Sequence, residues 1–252
     1  MQMKPVYKTS DISIFQADCL QLLKGMPSNS IDVIATDPPY FLSNGGISCQ
    51  NGKMVSVDKG DWDKETTYTM EEFYRIFLTE AKRILKANGT MWIFGTMHNI
   101  YTVGYLLKLL DFKILNNITW QKPNPAPNLS KRMFTHSTET ILWAKQQKGR
   151  QYFNYEAMLT LNNQKQMKDL WMIATPHKWE KKFGKHPTQK PIEIMERIIL
   201  ASTNVNDVIL DPFMGSGTTL IAAQRLGRRA VGIELESEFI QMAINRLEDL
   251  RK

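Results

Sequence analysis

The stretch that decides the fold is VILDPFMGSGTTLIAAQRLGRRAVGIEL, residues 208–235. It begins with a β-like run at 208–211 and continues through a glycine-rich turn into a helical pattern that reaches about residue 226. A second β-like run follows at 230–235. Two strands joined by a helix are the repeating unit of parallel sheets. The stretch therefore predicts one such unit, followed by a last amphipathic helix.

Helical and β-like segments alternate along most of the remaining chain. Two prolines end an apolar run at 31–36, and a capping-box pair, Thr69 and Glu72, begins a helix that ends before Asn88. The alternation predicts an α/β fold with a doubly wound, mostly parallel sheet, and the length fits a single domain over 1–252. Further strands are expected at 12–16, 90–95, 112–120 and 139–145, and further helices at about 20–25, 98–110 and from Pro191.

Three segments do not fit this alternation. Residues 41–62 contain four glycines and little periodicity, which predicts a long, mobile loop. Three prolines in 121–132 exclude a regular element there. Residues 146–186 are polar, basic and aromatic, so we do not expect them in the core of the sheet.

Composition limits the class of protein. No apolar run approaches the roughly 20 residues of a membrane helix, and charges such as Lys4 and Asp11 interrupt any signal peptide, so a cytoplasmic protein without membrane contact is expected. Cys19 and Cys49 have no metal-ligand spacing, and we expect unpaired thiols and no metal site. The formal charge of +7 favours a polyanionic partner such as nucleic acid.

Chemistry is concentrated at two strand ends, Asp37-Pro38-Pro39-Tyr40 and the turn 211–217. Ligands of open parallel sheets bind outside the carboxyl ends of the strands, so both motifs are expected to face one crevice. The two glycines of the turn allow a close backbone approach at a helix start, which suits a nucleotide-like ligand. Glu234, at the end of the next strand, can accept hydrogen bonds from ribose hydroxyls. A dinucleotide dehydrogenase is disfavoured because GSGTT lacks a third glycine.

The tetrapeptide suits methyl transfer to an exocyclic amine. Such an amine is a poor nucleophile until acceptors take its hydrogen bonds, and the Asp37 carboxylate with the Pro38 carbonyl can do so. Tyr40 can stack on a base that has left the helix, and Phe41 can assist. No Pro-Cys pair is present, which disfavours methylation of a cytosine ring carbon.

With these two motifs in this order, the sequence resembles a known family, the β class of DNA amino-methyltransferases, in which D-P-P-Y precedes F-x-G-x-G. Within the class, DPPYFLSNGGIS, VSVDKGDWDK, FTHSTETILWA and KHPTQKP resemble the adenine methylases of the DpnA type. The resemblance covers nearly the whole chain. It implies a circularly permuted Rossmann-like methyltransferase domain, S-adenosylmethionine as cofactor, and GATC adenine as target within a restriction-modification system. It also implies DNA contacts by the loop 41–62 and by a target-recognition region, 121–186, and a homodimer.

The resemblance also assigns roles to individual residues. Asp18 is similar to an acid that binds the cofactor's adenine, and Thr188, Gln189 and Lys190 match a segment near its methionine carboxylate; Ala17 departs from the glycine of many relatives. The expected catalytic residues are Asp37, Pro38, Pro39 and Tyr40. The expected cofactor-binding residues are Asp18, Cys19, Asp37, Thr188, Lys190, Asp211, Phe213, Gly215, Ser216, Gly217, Thr218, Thr219 and Glu234. The expected DNA-binding residues are Phe41, Lys122, Lys131, Arg132, Lys178, Lys181 and Lys182.

Several alternatives stay open at this stage. The local geometry serves the N4 amine of cytosine as well as the N6 amine of adenine, and adenine is favoured because Asp rather than Ser begins the tetrapeptide. The acceptor could instead be RNA or a protein glutamine. A DNA-binding protein that has lost catalysis would also be basic, and single-stranded DNA is a candidate substrate beside the duplex.

Overall fold

The computed structural model describes residues 4–41, 47–50, 53–56 and 68–251. The strands are β1 (Tyr7–Lys8), β2 (Ile12–Gln16), β3 (Ile31–Thr36), β4 (Ile47–Gln50), β5 (Lys53–Ser56), β6 (Leu85–Gly95), β7 (Phe112–Gln121), β8 (Thr138–Gln146), β9 (Leu170–Met172), β10 (Val208–Asp211) and β11 (Arg229–Glu234). The helices are α1 (Cys19–Gly25), α2 (Met70–Ile84), α3 (Ile100–Leu109), α4 (Tyr155–Leu161), α5 (Ile192–Ser202), α6 (Thr218–Arg225) and α7 (Ser237–Asp249).

Nine of these strands form one sheet in the order β1-β2-β11-β10-β3-β6-β8-β7-β9. Five central strands, β2, β11, β10, β3 and β6 in sheet order, are parallel to one another. The antiparallel pairs are β1 with β2, β6 with β8, and β7 with β8. The prediction of a doubly wound, mostly parallel sheet is therefore confirmed.

Both faces of the central strands are buried under helices. Ile209 and Leu210 are adjacent in β10, yet they belong to two different apolar clusters, because successive side chains of a strand point to opposite faces. One cluster contains the buried faces of α5, α6 and α7, and the other contains those of α1, α2 and α3. The glycine-turn strand β10 is central in the sheet although it comes late in the chain, as a circular permutation requires.

Helix α2 begins where the capping box predicts. The Thr69 side chain accepts a hydrogen bond from the Glu72 N–H, and the Glu72 carboxylate accepts one from the Thr69 N–H. The helix ends at Ile84, and β6 begins at once with Leu85, five residues before the expected strand at 90–95. The sequence pattern missed the first part of this strand because Lys86–Gly89 are polar or small residues with no strand periodicity.

The expectation that 146–186 stays out of the sheet is wrong for one short piece. Strand β9 pairs with β7 in parallel, and its Trp171 is buried against Trp92, with ring centroids 6.3 Å apart. The indole of Trp120 donates to the backbone oxygen of Ile173 at 2.8 Å and fixes the chain just beyond β9. A three-residue strand is too short to give a periodic signal, which is why the sequence pattern missed it.

The segment 41–62, expected to be a loop, contains an antiparallel hairpin of β4 and β5. The expected mobility and DNA contacts of 42–46, 51–52 and 57–62 lie outside the described residues. No helix in the described ranges has the length and apolar character needed to cross a membrane.

Candidate functional site

The two chemical motifs meet at one edge of the sheet. Strands β3 and β10 are parallel neighbours, with Val33 opposite Ile209, so their carboxyl ends lie side by side. A cavity of about 350 Å³ opens there and is lined by both Asp37 and Gly215. The expectation that both motifs face one crevice is confirmed. With the exception of Gly217, every residue expected at the cofactor lines this cavity.

The glycine turn needs both of its glycines. Gly215 and Gly217 have φ of 49° and 78°, in the left-handed region that favours glycine. A Cβ on Gly215 would lie 2.8 Å from the Nε2 of His186, and one on Gly217 would lie 2.7 Å from the Cβ of Ala243. Helix α6 begins directly after the turn at Thr218, which lines the cavity. The unpaired N–H groups of the first helical turn are therefore available to a ligand.

Asp211, the last residue of β10, holds this turn in place through hydrogen bonds. It is 3% exposed, and burial raises its pKa to about 7, against the lowering effect of hydrogen bonds from the Thr219 hydroxyl and the Phe213 N–H. Both carboxylate oxygens accept these bonds, so Asp211 ties the end of β10 to the start of α6.

Glu234 ties the same turn to the end of β11. One of its oxygens accepts the Gly215 N–H at 3.0 Å, and the other accepts the N–H groups of Leu235 and Glu236 at 2.8 and 3.0 Å. Burial raises the pKa of Glu234, while these backbone donors lower it. The carboxylate is thus held rigidly in the cavity wall, and the oxygen that accepts the Gly215 N–H keeps a lone-pair site for a ligand.

Asp18 and Cys19 form the rim of the cavity beside Glu234. Asp18 is exposed and caps α1 by accepting the Gln21 N–H at 2.9 Å. The Ala17 N–H donates to the Glu234 backbone oxygen at 3.1 Å, which joins the ends of β2 and β11. Burial raises the pKa of the Cys19 thiol well above its usual value, so this thiol stays protonated and is a poor nucleophile.

Aromatic side chains form a second wall. Phe41, with φ of 57°, is partly buried and packs edge-on against Phe73 at a centroid distance of 5.4 Å. Phe213 lies 5.9 Å from Phe73 and 5.5 Å from Phe77. The structure therefore places Phe41, expected at the DNA, in the cavity wall with the residues expected at the cofactor.

A cluster of charges surrounds Asp37. The Lys190 ammonium donates to one Asp37 oxygen and the Tyr40 hydroxyl donates to the other. Glu139, near the start of β8, has an oxygen 3.6 Å from the Lys190 ammonium and 3.5 Å from the Tyr40 hydroxyl. Lys122 pairs with the other Glu139 oxygen at 2.5 Å. We call Asp37, Tyr40, Lys122, Glu139 and Lys190 the charge cluster; its two carboxylates and two ammonium groups balance.

Burial controls the protonation of this cluster. It raises the pKa of Asp37, and the neighbouring Lys190 cation opposes that rise. Burial, with the nearby carboxylates, raises the pKa of Tyr40 well above its usual value, so its hydroxyl keeps its proton. Burial alone would lower the pKa of Lys190, but Asp37 and Glu139 raise it, so Lys190 stays cationic.

Residues that the sequence pattern missed hold the tetrapeptide in place. The Tyr74 hydroxyl donates to the Pro39 carbonyl at 2.6 Å and accepts from the Asn99 amide at 2.7 Å. Both side chains are buried, and nothing in their spacing marks them as site residues. Glu139 did carry a signal, because it is a carboxylate at the edge of the apolar run ETILWAK.

The segment 185–191 closes the cavity. His186 packs edge-on against Phe239 at a centroid distance of 4.3 Å, and burial, followed by the cations Lys190 and Arg246, lowers its pKa to about 4, so the ring is neutral. The Thr188 N–H donates to its Nδ1 at 3.3 Å. The Gln189 amide oxygen is buried at the cavity and has no hydrogen-bond partner within the described part of the chain.

The basic residues expected at DNA are not in one environment. Lys131, Arg132 and Lys178 are exposed, and Lys181 is partly exposed. Lys182 pairs with Asp249 of α7 at 2.9 Å. Lys122 belongs to the charge cluster, where its side chain is 22% exposed.

Comparison with known proteins agrees with this geometry. A family model described as DNA methylase, N6_N4_Mtase, matches residues 31–245. The type II methyltransferase M2.DpnII of Streptococcus pneumoniae is 56% identical over 248 residues, covering 97% of this chain and 92% of the relative. The solved M1.HpyAVI–SAM complex is 32% identical with a TM-score of 0.69, covering 94% of this chain and 98% of that one. The PvuII cytosine-N4-specific DNA methyltransferase shares the fold at 21% identity and a TM-score of 0.77, covering 97% and 89%. The chain therefore belongs to the N6/N4 family of DNA methylases and is an S-adenosylmethionine-dependent DNA methyltransferase.

Proposed function

We propose that this enzyme methylates the N6 amine of adenine within GATC, in duplex DNA and in single strands, as the modification activity of a restriction-modification system. The observation that carries the proposal is the shared cavity, in which Asp37 and the Gly215 turn meet. Adenine is favoured over cytosine by the aspartate that begins the tetrapeptide and by the resemblance to DpnA-type enzymes. GATC and the system rest on that resemblance, with 56% identity to M2.DpnII in support.

The residues present fit S-adenosylmethionine. Gly215 lines the cavity in a left-handed turn that leaves no room for a Cβ beside His186, and Glu234 offers a fixed carboxylate for ribose hydroxyls. The Gln189 amide oxygen is an unused acceptor, and the rings of Phe41 and Phe213 suit a cationic sulfur. When bound, the cofactor supplies an electrophilic methyl group.

Asp37 and Pro38 prepare the acceptor amine. The Asp37 carboxylate accepts one N–H of the amine, and the Pro38 carbonyl takes the other. Tyr74 holds the next carbonyl, that of Pro39, and so fixes the direction of the turn. These bonds direct the nitrogen lone pair toward the methyl donor. Because burial raises the pKa of Asp37, the carboxylate also accepts the departing proton more readily than an exposed one.

We expect Glu234→Ala to weaken S-adenosylmethionine binding by about 10- to 100-fold, the equivalent of one or two charge-assisted hydrogen bonds. The change removes the acceptor of the Gly215 N–H as well as the ribose contact. Calorimetric titration with cofactor measures the loss, and Glu238→Ala, an exposed carboxylate in α7 that does not line the cavity, is the matched control. Wild-type affinity in Glu234→Ala would remove Glu234 from the cofactor site.

The proposed function is tested with purified protein and methyl-labelled cofactor. The acceptors are duplex and single-stranded oligonucleotides that contain GATC or a scrambled site, with RNA as a further acceptor. We expect label only in GATC DNA, and N6-methyladenosine after digestion to nucleosides. Labelled N4-methylcytosine would move the target to cytosine, labelled RNA would change the substrate class, and no label in any GATC substrate would reject the proposal.

The proposal also assigns DNA contacts to particular segments and basic residues. We assign 121–186 to target recognition, with the exposed Lys131, Arg132 and Lys178 and the partly exposed Lys181 on phosphates. Because the substrate is cellular DNA, we place the enzyme in the cytoplasm.

We also assign a homodimer to the surface of α3, where Tyr101, Tyr105 and Leu109, together with Met97 just before the helix, are exposed apolar side chains. Sedimentation of wild type and Tyr101→Glu tests this assignment. A monomeric wild type would end it.

A further inference from the structure

The loop between β7 and β8 carries an unusual tip. Phe134 is 97% exposed and the adjacent Met133 is 62% exposed. All six residues from 131 to 136 are exposed, and the two that precede this apolar pair are Lys131 and Arg132. An exposed apolar side chain is unremarkable alone, but an aromatic ring at a basic loop tip suits a polyanion with an apolar interior. Duplex DNA is such a partner.

The loop is rooted in the charge cluster. At the base of the loop, the backbone N–H of Lys122 donates to the backbone oxygen of Ser137 at 2.8 Å. Glu139 follows Ser137 by two residues. Phe134 is five residues from Glu139, so their Cα atoms are at most about 17 Å apart even along an extended chain. Glu139 in turn lies 3.6 Å from the Lys190 ammonium that holds Asp37. The loop that carries the exposed ring thus begins and ends beside the charge cluster around Asp37.

The tip is held in shape by Asn128. Its carboxamide donates to the Met133 oxygen at 2.9 Å, and its amide oxygen accepts the Ser130 N–H and hydroxyl at 3.0 and 2.6 Å. Lys131 completes the turn with φ of 54°. The apolar pair is therefore presented by an ordered turn, which lowers the entropy lost when it enters a binding site.

A base in a duplex reaches Asp37 only after it leaves the stack, and this leaves a gap beside an unpaired partner base. Apolar side chains inserted between base steps offset part of that cost of a few kcal/mol. We propose that Phe134 is the wedge that enters duplex DNA at the position vacated by the target adenine, while Lys131 and Arg132 hold the flanking phosphates. The proposal rests on the proposed function, and it makes Phe134 a positioning residue for duplex substrates alone.

The test compares three GATC substrates: a matched duplex, a duplex with an abasic site opposite the target adenine, and a single strand. We expect Phe134→Ala to lower kcat/KM on the matched duplex by about tenfold or more, the equivalent of 1.4 kcal/mol or more. It should leave the other two substrates within about twofold of wild type, because neither requires a paired base to be displaced. Phe134→Leu should restore part of the duplex activity. Val205→Ala, which removes an exposed apolar side chain between α5 and β10, outside 121–186, is the control.

Each outcome decides the matter. Wild-type duplex activity in Phe134→Ala, or an equal loss on all three substrates, would overturn the wedge while the proposed function stands. A wild-type protein that methylates none of the three would overturn the proposed function and the wedge together.

Discussion

Replacing Asp37 with asparagine will lower kcat for methyl transfer on the order of 10³-fold, while the affinity for S-adenosylmethionine stays nearly unchanged. Asparagine keeps the shape of the side chain but cannot take the amine's proton and carries no charge. The glycine turn and Glu234, which we assign to the cofactor, keep all their hydrogen bonds in this variant. Single-turnover transfer to GATC DNA measures the loss, and calorimetry measures the cofactor affinity.

Asp111→Asn is the matched control for this change. Asp111 is exposed, with φ of 55°, a conformation that asparagine adopts readily. Thermal unfolding of both variants checks that the fold survives, since Asp37 also pairs with the buried Lys190. If the rate of methyl transfer by Asp37→Asn stays within tenfold of the wild-type rate, Asp37 is not the group that accepts the proton of the amine.

Lys190→Met will move the acid limb of the pH–rate profile to higher pH and lower the rate at neutral pH. The Lys190 cation holds down the pKa of Asp37, which burial raises, so its removal lets that pKa rise further. Asp37 acts as an acceptor only when ionised, and the rate is lost as pH falls through its pKa. When the pKa of Asp37 lies above neutral pH, each further increase of one pKa unit lowers the ionised fraction, and with it the rate at neutral pH, about tenfold. Activity recovers in alkaline buffer, where the carboxyl is ionised again.

Two variants separate this explanation from others. Lys190→Arg keeps the charge and should restore the acid limb, and Lys122→Met, which removes a partner of Glu139 rather than of Asp37, should move it less. Removal of one buried partner costs about 3–5 kcal/mol of folding free energy, so thermal unfolding accompanies the kinetics. An unchanged acid limb with a raised KM for S-adenosylmethionine would show instead that Lys190 acts on the cofactor's carboxylate.

The fold and the meeting of the two motifs in one cavity were predictable because their signals are local. A glycine turn after a short apolar strand needs only a dozen residues, and the rule that parallel strands end at one edge brings Asp37 and Gly215 together. The capping box of Thr69 and Glu72 is likewise a four-residue pattern. Such features depend on backbone conformation, which the sequence specifies at short range.

The acceptor side was less predictable because its partners are distant in sequence. Glu139 meets Lys190 and Tyr40 only after β8 has turned back along β6, and Tyr74 reaches Pro39 across 35 residues. Lys122, which the sequence suggested only as a phosphate contact, pairs with Glu139 in the charge cluster. Side-chain pairing of this kind depends on tertiary packing, which no periodicity in the sequence encodes.

The most direct test of the shared cavity is a crystal structure of the enzyme with bound S-adenosylmethionine. We predict that the cofactor lies against the Gly215 turn with its ribose on Glu234 and its methyl group directed toward the Asp37 carboxylate. A cofactor bound elsewhere, or one whose methyl group points away from Asp37, would contradict the proposed site.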